Sequence, residues 1–165
     1  MRWCAAGAVV SVLVLAACAE VDVGSAGPLT SEQKKSLHLA SVSAETTRDV
    51  IMDSQALDRI VKRITAAIMA DAPQVFASTP GAPPALIMKL VFTDYDNGDR
   101  ASRRERRNIG TTRIEANVLF IDENGRTVAR EQVATRFGSG GDVGLTTSIL
   151  NVEADFEMAV ARLVR

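Results

Sequence analysis

The sequence predicts an α+β domain of order β-α-β-β-β-α, a mostly antiparallel four-stranded sheet with two helices packed on one face. Three observations predict it. Leu86, Met88, Leu90 and Phe92 alternate with Ile87, Lys89, Val91 and Thr93, and Ile114, Ala116, Val118 and Phe120 with Arg113, Glu115 and Asn117, the two-residue period of half-buried strands. Leu57, Ile60, Val61, Ile64 and Ile68 recur at helical spacing between the first strand and those two. Asp122-Glu123-Asn124-Gly125 supplies an Asn-Gly pair suited to a tight antiparallel turn.

The chain opens Met1-Arg2-Trp3-Cys4, and from Ala5 to Ala17 every residue is apolar or small. One charge ahead of a short apolar run is the layout of a secretory signal, expected over 1–17. It is shorter than the roughly 20 residues a spanning helix requires. Residues 18–33, with "EVDVGSAGPLTSEQ" after Cys18 and Ala19, are polar and turn-rich and read as a tether with a coil span of roughly 20 Å. The single domain is expected over 34–165. Removing the signal leaves 148 residues, enough for one self-sufficient core. Cys4 leaves with the signal, so Cys18 is the last cysteine and the domain holds no internal disulfide.

Within the domain, Ser36–Val42 places Leu37 and Leu39 on one face as a first strand. Ser54–Ala70 is the first helix, with Asp53 or Ser54 as N-cap and Asp58, Arg59, Lys62 and Arg63 on its polar side. Prolines in "DAPQVFASTPGAPP" end it. Strands follow from about Ala85 to Tyr95, through Ile114–Phe120 and, after the Asn-Gly turn, over Val128–Phe137. A glycine-rich loop, Gly138 to Gly144, leads to a last amphipathic helix on Val152, Phe156, Val160 and Leu163.

The residue inventory argues against catalysis. His38 is the lone histidine, the mature chain keeps no thiol besides Cys18, and no Ser-His-acid set or HExxH can be assembled. No enzyme activity, metal or cofactor is expected. Asp94, Asp96 and Glu105 fall at positions one, three and twelve of a calcium loop, but Asp99 stands where that loop requires glycine. "GSGGDVG" lacks the Lys-Ser/Thr pair of a phosphate loop and reads as a connection. "RASRRERR" gathers Arg100, Arg103, Arg104, Arg106 and Arg107 around a single Glu105, a candidate contact for a protein partner or an anionic lipid. A net charge of −1 and the lack of interleaved aromatics argue against nucleic acid.

Leu15-Ala16-Ala17-Cys18 resembles the lipobox of bacterial lipoproteins. That resemblance implies cleavage before Cys18, acylation of its thiol and amino terminus (palmitate among the chains), and a stable membrane anchor facing the periplasm. In such lipoproteins of Gram-negative bacteria an aspartate after the cysteine favours the inner membrane, so Ala19 points to the outer one. With "LVFTDYDNGDRASR", "IDENGRTVARE" and the glycine loop before the last helix, the chain resembles small uncharacterised proteobacterial lipoproteins. In element order it is similar to auxiliary lipoproteins of ABC transporters and to the lipopolysaccharide-assembly lipoprotein. The resemblance implies a non-enzymatic accessory or docking subunit of an envelope complex, with the Asp94–Arg107 hairpin and the exposed sheet face as contacts. The alternative is a periplasmic module binding an anionic lipid or lipopolysaccharide through the arginine cluster.

Overall fold

The computed structural model describes residues 26–76, 84–96, 111–138 and 149–165. The signal segment, Cys18, the arginine cluster Arg100–Arg107 and the glycine loop beyond Gly138 lie outside the described residues. The elements are α1 (Ser31–Lys35), β1 (Leu39–Thr46), α2 (Ser54–Asp71), a 3-10 turn (Pro73–Phe76), β2 (Leu86–Asp96), β3 (Thr111–Ile121), β4 (Thr127–Gly138) and α3 (Ile149–Ala161), closed by a second 3-10 turn (Arg162–Val164). The expected β-α-β-β-β-α order is present, with α1 added ahead of it.

The four strands lie in the order β1-β2-β3-β4. The β2–β3 and β3–β4 pairs are antiparallel, and β1 pairs with β2 in parallel. The sheet is therefore mixed, because β1 and β2 are joined by the α2 crossover, which returns the chain to the end of the sheet where it began. Leu39, Leu86, Ile121 and Thr127 stand at one end of the sheet, and Thr46, Asp96, Thr111 and Gly138 at the other.

Alternation decides which face is buried. Met88, Leu90 and Phe92 stand opposite Phe120, Val118 and Ala116, and all six are fully buried. Ile60, Ile64 and Ile68 of α2 and Val152, Phe156 and Val160 of α3 join the same core. The Phe92 and Phe156 rings lie 5.5 Å apart, a tilted aromatic contact at the centre of the sheet. The opposite face carries Lys89, Arg113, Glu115, Asn117, Arg130 and Gln132. Leu119 is 5 % exposed there, in register between Lys89 and Arg130, whose aliphatic stems can cover it.

Two expectations are corrected. The first strand runs over Leu39–Thr46 rather than Ser36–Val42, because Ser36 is the C-cap of α1 and Leu37 is buried ahead of the sheet. The stretch read as tether is packed from Gly27 onward. Leu29 is 6 % exposed, Gly27 accepts a backbone hydrogen bond from Arg130 at 2.9 Å, and Thr30 and Gln33 form a reciprocal capping box on α1. Among the described residues no helix is long and apolar enough to cross a membrane.

Candidate functional site

The polar chemistry of the fold gathers along the seam between α2 and α3. Arg59 and Arg63 each precede a core isoleucine by one residue, and Glu153 and Glu157 each follow a core apolar residue, Val152 and Phe156. One helical step of about 100° turns these four side chains from the core to the flank where the helices meet. Three ion pairs share a constant offset of 94 residues: Arg59–Glu153, Arg63–Glu157 and Arg165–Asp71. That offset makes the helices parallel, both leading away from the far end of the sheet.

Glu153 is the hub. It is fully buried, and its Oε1 accepts from Arg59 Nη2 at 2.7 Å while Oε2 accepts from Arg59 Nε at 3.0 Å, a bidentate fork. Tyr95, the last residue but one of β2, donates its hydroxyl to Oε1 at 2.8 Å. The bond to Glu153 holds the Arg59 guanidinium above its ordinary value. Burial, and then the bond to Glu153, pushes the Tyr95 phenol well up as well. A phenol held protonated is a poor nucleophile. The arrangement clamps helix to helix and both to the sheet. Glu157, one turn on, is held less tightly: Arg63 Nη1 is 3.6 Å from its Oε1, and burial raises the carboxyl to about 7.

The open sheet face is a second polar array. Lys89 pairs with Glu45 at 2.8 Å, Arg113 reaches both Asp94 and Glu115, Gln132 donates to Glu115, and Arg130 donates to Asn117 at 2.9 Å. At the near end, a cavity of about 270 Å³ opens beside Leu29, Leu37, His38, Leu86, Asp122 and Val128. Burial of apolar side chains dominates there, and the Asp122 carboxyl is lowered by the backbone N–H of Arg126, within the turn. No group of three or more metal-ligating side chains occurs among the described residues.

Cys18 and Arg100, Arg103, Arg104, Arg106 and Arg107 lie outside the described residues, but the strand ends that flank the arginine cluster do not. Asp96 and Thr111 stand at the far end of the sheet, away from Gly27 and Leu29. The seam residues were not singled out in the sequence, where Arg59 and Arg63 read as solvent-facing. The available signal was the matched i, i+4 spacing of Arg59/Arg63 on one helix and Glu153/Glu157 among the apolar residues of the other.

No family model matches the chain, and no curated protein matches it. Among solved structures, an uncharacterised protein is 16 % identical with a TM-score of 0.47, covering 78 % of this chain and 89 % of its own. A PelC dodecamer from Paraburkholderia phytofirmans is 13 % identical with a TM-score of 0.48, covering 84 % and 92 %. A protein of Caulobacter crescentus assigned as a lipoprotein is 13 % identical with a TM-score of 0.33, covering 81 % and 88 %. None carries an activity or an assembly state over to this chain.

Proposed function

We propose that this protein is a lipid-anchored, non-enzymatic component of the bacterial cell envelope that docks a protein partner with the end of its sheet remote from the anchor. The observation that carries the reading is the polarity of the domain relative to its attachment. Seven residues lie between Cys18 and Ala26, at most roughly 30 Å of extended chain from one to the other. Gly27 and Leu29 then fix the chain to the near end of the sheet. β2 is 11 residues long, about 36 Å, and delivers the arginine-bearing connection from Asp96 at the opposite end. A short leash at one pole, and at the other the strand ends Asp96 and Thr111 that flank the arginine-bearing segment, suit a domain that is held at a membrane and presents its far pole to a partner. The clamped chemistry of Arg59, Tyr95 and Glu153 supports a structural rather than catalytic use of the buried polar groups.

The test compares the native protein with Cys18→Ser and with a variant carrying Arg103, Arg104, Arg106 and Arg107 as glutamates. The expected results are release of Cys18→Ser from membranes and, after crosslinking in cells, a stoichiometric protein partner that the glutamate variant loses. The five arginines also favour one other reading, an anionic lipid or lipopolysaccharide as the ligand. Vesicles of anionic lipid separate the two. Salt-sensitive vesicle binding that is lost in the glutamate variant, with no protein crosslinked, selects the lipid.

A further inference from the structure

Glu157 is 7 % exposed, and its Oε1 is buried with no hydrogen-bond partner. Its neighbour Glu153 has three bonds of 3.0 Å or less, whereas Glu157 has one cation at 3.6 Å, beyond hydrogen-bond distance. That cation, Arg63, is 45 % exposed and shares its charge with water. The charged groups facing Glu157 are Arg63 and Arg59 on α2 and Glu153 on α3 itself. Tyr95 of β2 is committed to Glu153. β3 and β4 turn Ile114, Ala116, Val118 and Val133 toward the helices. In the closing 3-10 turn Arg162 is exposed, and Arg165 after it pairs with Asp71.

We propose that the α2–α3 seam is a proton-controlled clasp: protonated, the Glu157 carboxyl stays buried between the helices, and ionised, it swings out to Arg63 and loosens α3 from α2. Two carboxylates one helical turn apart cannot both be charged at low cost in a buried seam, and Arg59 is already spent on Glu153. Burial raises Glu157 to about 7, so the switch falls near neutral pH. Phe156 packed on Phe92 keeps α3 on the sheet, which confines the opening to the seam. The device is independent of the docking reading, since it uses only groups within the domain.

The test follows the Glu157 carboxyl carbon by NMR and the α3 amides by hydrogen exchange, corrected for intrinsic rates, from pH 5 to 8 in the mature full-length chain. Glu157 is expected to titrate near 7, and α3 protection to fall roughly tenfold across that transition. Glu157→Gln is expected to abolish the fall. In Arg63→Gln, which leaves Glu157 in place, the midpoint should move up because the outward partner is gone. An ordinary carboxylate midpoint, pH-independent protection, or an unchanged transition in either variant overturns the proposal.

Discussion

A single buried carboxylate organises three elements of this protein. Glu153 receives the Arg59 fork from α2 and the Tyr95 hydroxyl from β2, so each partner is oriented by the same two oxygens. Removing Tyr95's hydroxyl leaves that carboxylate one donor short. Tyr95→Phe is expected to cost about 1–2 kcal/mol, read as a shift of the urea midpoint. Glu153→Ala is expected to cost about 3 kcal/mol, because it strands the guanidinium and the hydroxyl together. Since both changes act through one carboxylate, the double variant should lose clearly less than the sum. Additive losses would mean that the two bonds are independent. Tyr95 and the helical spacing were legible in the sequence, but their convergence was not. Helical periodicity fixes the face of a residue on its own helix and is silent on the helix across the seam.

At the scale of elements, local signals were the readable ones. Asp53 or Ser54 was expected as the N-cap; it is Asp53, whose carboxylate accepts the Ala56 N–H at 2.7 Å from an extended backbone. Asp53→Ala should therefore cost about 1 kcal/mol, measurable by thermal or urea denaturation. The Asn124-Gly125 turn was equally legible: Gly125 has φ +77°, and Asp122 accepts the backbone N–H groups of Asn124 and Arg126, each at 2.9 Å. Gly125→Ala should cost about 1 kcal/mol, while an exposed change such as Asn124→Ser in the same turn should cost less. The strands of β2, β3 and β4 show the same legibility, because each alternates over a face that one layer of helices covers. β1 was displaced in the reading for a physical reason. Leu37 and Leu39 are both buried, but Leu37 packs below the sheet next to α1, so two leucines at strand spacing do not belong to one strand. The parallel β1–β2 pairing follows from the intervening helix and not from either strand's pattern.

At the scale of the whole molecule, stability should carry the signature of Glu157. Its carboxyl is raised from an ordinary 4.5 to about 7 in the fold, so the folded chain holds a proton that the unfolded chain releases. That contribution is full below about pH 4.5 and is lost as pH rises through about 7, by an amount on the order of 1–3 kcal/mol. Urea midpoints of the native protein should fall over this window, and those of Glu157→Gln should fall less. The N-terminal segment poses the other whole-molecule question, since its polar composition reads as tether and its one leucine shows no periodicity. Yet Leu29 is buried, Gly27 caps the edge of β4, and α1 itself buries nothing. A chain beginning at Lys34 should accordingly be less stable than one beginning at Ala26 by about 3 kcal/mol, from roughly 2 kcal/mol of Leu29 burial and about 1 kcal/mol of hydrogen bond. Leu29→Ala in the longer chain should reproduce most of that loss, since it spares the backbone bond and removes the apolar contact. Equal stability of the two chains would return residues 26–33 to the tether. The leash of the proposed anchor would then lengthen by those eight residues, and the near end of the sheet would lose the fixed attachment on which the proposed docking orientation rests.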